Sequence, residues 1–317
     1  MGSINKKRYH KGKSKRKKVL YILITVLILF FLVDGIILAK VYYDAKTAVE
    51  TTYHKVKNNS ERNSARTISS DKPFSILLLG TDTGEYGRTY RGRSDSMMVA
   101  VINPKTKQTT LVSIPRDTKV AIPGHGFENK INSAYSYGGV SMAMNIMQSY
   151  LDVPIDHYVE MNMRGLVQLS SAVGSIKVNN NLDFSNVGNH YAKGEITLNK
   201  NNILGYTQMR YSDPTGDYGR QGRQRQVLSA LVKKMATIQG ITKYQSILSA
   251  LSSNMKTDIT FDEIKTIATK YRSADNVKQI QLQGYGKMID GVSFQVVPQK
   301  NVDAVTKKLR TALELNN

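Results

Sequence analysis

The chain has 317 residues, no Cys, 40% hydrophobic residues and a formal net charge of +21. Without Cys there is no disulfide, thiol nucleophile, Cys-based zinc site or acylated-Cys anchor. None of the five His pairs with another at i, i+3 or i, i+4, so any bound metal is a hard cation on carboxylate oxygens, Mg²⁺ or Mn²⁺.

Residues 1–18 carry nine Lys/Arg and no acid, and residues 40–317 remain near +13. A basic domain of that size expects an anionic partner. Val19–Ala39 (VLYILITVLILFFLVDGIILA) is a 21-residue apolar run, long enough as a helix to cross a bilayer core of roughly 30 Å. The basic cluster before it places the N-terminus in the cytoplasm and the rest of the chain outside, a single-pass cell-membrane protein. The rival reading is a cleaved signal peptide, but the run is long for one and no small-x-small site follows. Residues 40–72 have no apolar period and read as a juxtamembrane spacer, and the folded domain, 73–317, is expected to begin at Pro73.

Phe74–Gly80 (FSILLLG) predicts a strand buried on both faces. Met97–Ile102 and Thr109–Ile114 predict two more, joined by an Asn103-Pro104 turn. Ser141 is placed to cap a helix over 141–151 with Met142, Ile146, Met147, Tyr150 and Leu151 on one face. Strands follow at His157–Met161 and Ser175–Val178, with a helix over 164–172 between them. Helices are expected at Asn199–Tyr211, Gln221–Ile238, 243–253, 261–273 and 299–314, and late strands at Gln279–Gln283 and Val292–Val297. Strands interleaved with helices imply an α/β fold, a mixed central sheet flanked by helices on both faces.

Arginine is unevenly placed. The chain has 30 Lys and 15 Arg, yet segments 80–96 and 208–226 hold Arg88, Arg91, Arg93, Arg210, Arg220, Arg223 and Arg225 and no Lys. Surface charge alone would favour Lys, whereas Arg suits bidentate contact with phosphate or carboxylate. Asp82 lies just past the first strand, where ligands bind in open α/β sheets. Asp95 opens the next strand, so the intervening loop returns to the same edge. Two carboxylates among Arg88, Arg91 and Arg93 can hold Mg²⁺, although a pair of turn or salt-bridge aspartates is the simpler reading of them taken alone. Arg116-Asp117 repeats the strand-end pattern. Counting back from the apolar stripe Val227, Leu228, Leu231, Val232, Met235 places Gln224, Arg223 and Arg220 on the buried face of a helix N-terminus, an anion site. Asp217 is placed to orient one of these guanidinium groups or to share in proton transfer. There is no Walker loop, no GxSxG elbow and no complete GxGxxG before a helix. Positioning plus electrostatics, the requirement of phosphoryl transfer, is what remains.

Six stretches in order, FSILLLGTDTG, GRSDSMMVAVI, TLVSIPRDT, KINSAYSYGG, IDHYVEMN and MRYSDPTGDYGRQGRQRQV, resemble the LytR-CpsA-Psr family of cell-wall glycopolymer transferases. They cover about residues 74–227, and the basic tail and anchor match the family's topology. The resemblance implies a hydrophobic pocket for a polyprenyl chain. It also implies Mg²⁺-dependent transfer of a teichoic acid, capsular or related anionic polymer from a polyprenyl-diphosphate carrier to peptidoglycan, in a Gram-positive wall. Asp82 and Asp95 would place the metal; Arg91, Arg93, Arg116, Arg210, Arg220, Arg223 and Gln224 would bind the diphosphate; Asp82, Arg116, Arg210 and Asp217 would serve catalysis. Gln208 stands where many members carry Arg, two residues before Arg210, leaving a neighbour such as Arg91 or Arg223 to compensate.

Three other readings compete. A lipid-diphosphate hydrolase would use water as acceptor at the same site. A non-catalytic wall-polymer binder would need only the arginines, and gains nothing from carboxylates beside an anion. A nucleic-acid-binding regulator would need its domain on the other side of the membrane and shows no helix-turn-helix, so no nucleic-acid partner is expected.

Overall fold

A computed structural model describes residues 35–56, 68–69, 71–82, 92–235, 237 and 242–315. The chain divides into two compact units, residues 1–47 and 48–317. Residues 35–52 form helix α1. Among the described residues no helix is long and apolar enough to cross a membrane; the expected anchor lies outside them through residue 34. Within the second unit, part of the expected spacer is tied down: the Tyr158 hydroxyl donates to the His54 carbonyl at 2.8 Å, and His54 N–H donates to Thr257 O at 2.7 Å.

A six-stranded mixed sheet carries the second unit, in the order β11 (Met255–Thr257), β6 (His157–Asn162), β1 (Phe74–Thr81), β2 (Ser94–Asn103), β3 (Gln108–Ser113), β12 (Asn276–Gln281). β1 pairs antiparallel with β2 and parallel with β6, and β3 pairs parallel with β12. The mixed α/β architecture expected from sequence is the one found. Alternation along the central strands divides their side chains between two cores. Leu77, Val99, Val101 and Val112 pack on α2 (Ser133–Leu151) and α8 (Gln299–Ala312), through Met144, Met147, Val305 and Leu309. Met98, Ala100 and Leu111 turn the other way, toward Leu228 of α5 (Asp217–Met235). Phe74 and Ile76 meet Ile259 and Tyr271, which flank α7 (Phe261–Lys270). A further core joins α3 (Met163–Val173), α4 (Ile203–Gln208), α5 and α6 (Tyr244–Asn254) to the β7–β10 pair (Ile176–Asn180, Gly194–Leu198) and the small β8–β9 hairpin (Phe184–Asn186, Asn189–Tyr191). Two other hairpins, β4–β5 (Lys119–Ala121, Glu128–Lys130) and β13–β14 (Tyr285–Ile289, Val292–Val296), complete the fold.

Several boundaries differ from expectation. α2 begins at Ser133 rather than Ser141, because the Gly138-Gly139 pair kinks the helix instead of preceding it; Gly139 sits at φ 63°, ψ −154°. α4 covers only Ile203–Gln208 of the expected Asn199–Tyr211. Before it, the Asn202 side chain accepts from Asn199 N–H at 2.7 Å, an alternative to the helical ladder that Asn readily offers. α5 begins at Asp217, four residues before the expected Gln221. Its first two turns bury Arg220 and Arg223, as the apolar period implies, and also Asp217 and Gln221.

Candidate active site

The edge of the sheet where β1 ends and β2 begins is irregular. Gly80 pairs with Ser96 but Thr81 pairs with Ser94, so Asp95 is the extra residue of a β-bulge. Bulges break the ladder and re-aim a side chain, and are common beside active sites. Here the Asp95 carboxylate accepts a hydrogen bond from Arg116 Nη1, while its backbone carbonyl accepts one from Arg220 Nη2 at 3.2 Å. The close pairing needs glycine at position 80, where an added Cβ would lie 3.0 Å from Ser96 Cβ.

Asp82 follows β1 and lies against Gly92, whose added Cβ would fall 2.1 Å from Asp82 Oδ1. The Asp82 carboxylate is the movable party in that clash. Gly92→Ala should therefore leave the melting temperature almost unchanged yet lower turnover about 10–100-fold, as misplacement by about 1 Å does. Thermal melts beside a turnover assay check this; a wild-type rate would show that the position of Asp82 does not matter.

Asp82, Arg93, Asp95, Arg116, Asp117 and Arg210 line one polar cavity of about 420 Å³, together with Lys130, Asn132, Ser136 and Ser293. Arg116 and Asp117 follow β3, Lys130 ends β5, Asn132 and Ser136 open α2, and Arg210 follows α4. Two of the cations are held by carboxylates: Lys130 Nζ lies 3.0 Å from Asp117 Oδ1, and Arg116 Nε 3.9 Å from Asp117 Oδ2. Burial pulls the Arg116 pKa down, but Asp95, Asp117 and Asp217 more than offset this, and the net shift is upward. Arg116 is thus charged throughout the working range. The start of α2 adds the positive end of a helix dipole to the same wall.

Five of the residues expected to share a site, Asp82, Arg93, Asp95, Arg116 and Arg210, line this one cavity. Lys130, Asn132 and Ser136, all within KINSAYSYGG, line it too, and no role was expected of them. The signal was the Asn-Ser start of a helix at 132–133, hidden by assigning the cap to Ser141.

Four expected site residues lie behind or beside the cavity rather than on its wall. Arg220 is buried and paired to Asp217 at 2.5 Å. Burial lowers its pKa; Asp217 opposes this, while Arg116 and Arg210 push it further down. Asp217 also accepts from Gln221 Nε2 at 2.7 Å, so it is placed as an orienting group. Arg223 faces elsewhere. It donates to Asp213 Oδ2 at 2.7 Å, Met209 O at 2.6 Å and Tyr206 O at 3.1 Å, and lies over the Phe184 ring. Gln224 lines a second cavity, and its buried Oε1 lacks a hydrogen-bond partner. Arg91 lies outside the described residues. Of the two cations expected to offset Gln208, Arg223 is thus engaged away from the polar cavity and Arg91 is not described.

The second cavity, about 370 Å³, is apolar, with Leu78, Met98, Met161, Leu166, Val227 and Leu228 on its walls. Gly80 and Ser96 line it too, one or two residues from Asp95 and Asp82 of the polar cavity. The two cavities therefore adjoin at the β1–β2 edge.

The mixed sheet thus bears a cavity lined by four cations and three carboxylates beside an apolar one. The LytR_cpsA_psr family model matches residues 38–311, and the chain belongs to that family. It is 48% identical over 301 residues to a polyisoprenyl-teichoic acid–peptidoglycan teichoic acid transferase TagU of Enterococcus faecalis (strain ATCC 700802 / V583), covering 95% of this chain and 99% of that one. The crystal structure of B. subtilis TagU is similar at 37% identity and TM-score 0.62, over 78% of this chain and 99% of its own. A structure of TagT bound to LIIa-WTA matches at 29% identity and TM-score 0.67, over 82% of this chain and all of its own.

Proposed function

We propose that this protein transfers an anionic glycopolymer, a teichoic acid or a relative of one, from a polyprenyl-diphosphate carrier to a peptidoglycan hydroxyl at the outer face of the cell membrane. The observation that carries this reading is the meeting of the two cavities, one for a doubly phosphorylated headgroup and one for its hydrocarbon chain. The transferase names of the relatives support it, and so do the basic tail at 1–18 and the apolar run at 19–39.

In the reaction an acceptor oxygen bonds to the phosphorus that carries the glycopolymer. The phosphoanhydride bond breaks, and polyprenyl phosphate leaves with the bonding electron pair. Asp82 takes the acceptor proton. Arg93, Arg116, Lys130 and Arg210 hold the diphosphate oxygens, where fixed cations stabilise charge that grows in the transition state. Arg220 and Asp217 brace Asp95 and Arg116 from behind.

Asp82 and Asp95 fit a magnesium ion. They are hard oxygen donors on one cavity, and Mg²⁺ typically takes one or two carboxylates plus substrate phosphates. No group of three or more His, Asp or Glu suited to a metal occurs among the described residues. When bound, the ion supplies charge neutralisation to the diphosphate.

The test is transfer by the full-length protein in detergent, with a synthetic polyprenyl-diphosphate glycan, peptidoglycan oligomers and Mg²⁺. Transfer should stop on adding EDTA and return with Mg²⁺ or Mn²⁺. Transfer that survives EDTA would remove the metal from the proposal. Phosphate release without transfer would replace it with a hydrolase, and tight binding without turnover with a non-catalytic binder.

A further inference from the structure

The β4–β5 hairpin ends in residues 122–127, folded by bonds from His125 N–H to Ile122 O and from Ile122 N–H to Phe127 O. Gly124 and Gly126 take φ of 79° and 69°, a turn that only glycine adopts without strain. The turn lays His125 against Tyr137 of α2 with ring centroids 4.6 Å apart, and Phe127 completes the group at 5.6 Å from His125 and 6.1 Å from Tyr137. Asn129 Nδ2 donates to the Tyr137 hydroxyl at 3.3 Å. Phe127 is 45% exposed and Tyr137 43% exposed. The buried core does not explain these rings, because they lie outside it.

Their place is informative. Lys130 and Asn132 follow the hairpin tip, Ser136 precedes Tyr137, and all three line the polar cavity. The aromatic group is therefore a rim of that cavity. α2 packs on the sheet face bearing Leu77, Val99 and Val112, whereas the apolar cavity lies on the face bearing Leu78 and Met98. The rim and the apolar cavity thus flank the headgroup site from opposite faces of the sheet. In phosphoryl transfer the attacking oxygen enters opposite the leaving group. A lipid phosphate leaving toward the apolar cavity puts the acceptor on the side of the rim. On that side too, the buried amide of Asn132 has an oxygen without a hydrogen-bond partner, and an amide can exchange hydrogen bonds with sugar hydroxyls.

We propose that His125, Phe127 and Tyr137, with Asn129 and Asn132, form the subsite for the acceptor glycan strand, the rings stacking on the C–H faces of its pyranose units. The electron-rich face of an aromatic ring attracts such C–H groups. The exposed tip, PGHGFE at 123–128, has a single large apolar residue, too little for insertion into a bilayer. This inference rests on the transferase reading and names the acceptor's place in it.

The experiment compares wild-type full-length protein in detergent with Phe127→Ala/Tyr137→Ala and with Phe127→Tyr/Tyr137→Phe, which keeps the rings. KM is measured separately for a peptidoglycan oligomer and for a polyprenyl-diphosphate glycan donor. The alanine pair should raise acceptor KM about tenfold, the loss of one or two ring stacks, with donor KM unchanged, and the aromatic pair should restore it. Unchanged acceptor KM overturns the proposal. So does a rise in donor KM, or a defect seen only with donor in vesicles, which assigns the rings to the donor glycan or to the membrane. Should wild type catalyse no transfer, the transferase reading has failed, and calorimetric binding of the same oligomer decides the subsite. Equal affinity of wild type and the alanine pair would then overturn it.

Discussion

Arg116→Ala is expected to lower kcat/KM for glycopolymer transfer about a thousandfold or more, the scale on which a transition-state arginine acts. Arg116 lines the polar cavity, reaches the Asp95 carboxylate and stands beside Asp117, so its guanidinium is both fixed and charged. Its loss removes one cation from the headgroup and frees the bulged Asp95 at once. Arg116→Lys should recover little, because an ammonium cannot hold a carboxylate and a phosphate in one planar fork. Stability should fall by less than about 1 kcal/mol, since the Arg116 and Asp95 side chains remain 21% and 25% exposed and water can replace the lost partner. Steady-state transfer kinetics beside thermal melts separate the two effects. A rate within tenfold of wild type would mean that Arg116 does not bear on the transferred phosphoryl group.

Arg223→Ala should do the reverse, destabilising the fold by about 3–5 kcal/mol, the cost of breaking a buried ion pair on one side. The Arg223 and Asp213 side chains are only 7% and 6% exposed. Arg223 joins α5 to the end of α4 through the Tyr206 and Met209 carbonyls, which would be left without that donor. Arg223→Lys offers one nitrogen for three acceptors and should be nearly as harmful. The pair also sets an acid limit. Burial alone raises the Asp213 pKa, but hydrogen bonds from Thr215 and Arg223 outweigh it, and the net shift is downward. A depressed carboxylate stabilises above its unfolded value of about 3.9, and that contribution fades as pH falls through the lower folded value. Urea unfolding from neutral to acidic pH should show this loss in wild type and a flatter profile in Arg223→Ala. Identical profiles would dissociate Asp213 from acid stability.

Arg220 lies three residues before Arg223 and Gln224 one after it, yet the fates of these three side chains diverge, and that divergence marks the limit of sequence reading. Arg220, Arg223 and Gln224 fall on the buried side of one helix by period, and the period correctly said that they point inward. It could not say at what. Arg220 meets a carbonyl 125 residues away, Arg223 an aspartate only ten residues away, and Gln224 an apolar cavity.

The central strands were legible because burial on both faces leaves continuous apolar runs such as FSILLLG. Asp82 and Asp95 were legible as a pair because a loop must return to the sheet edge it left. Short hairpins were not, since three-residue strands carry no period. Lys130, Asn132 and Ser136 reach the site only because the β4–β5 hairpin and the start of α2 fold onto the edge of β1 and β2. Sequence alone therefore determined the family, the class of fold and five residues of the cavity wall. Tertiary structure decided which inward-facing polar groups line the cavities and which brace the fold, because that choice depends on contacts between segments far apart in the chain, which local periodicity does not encode.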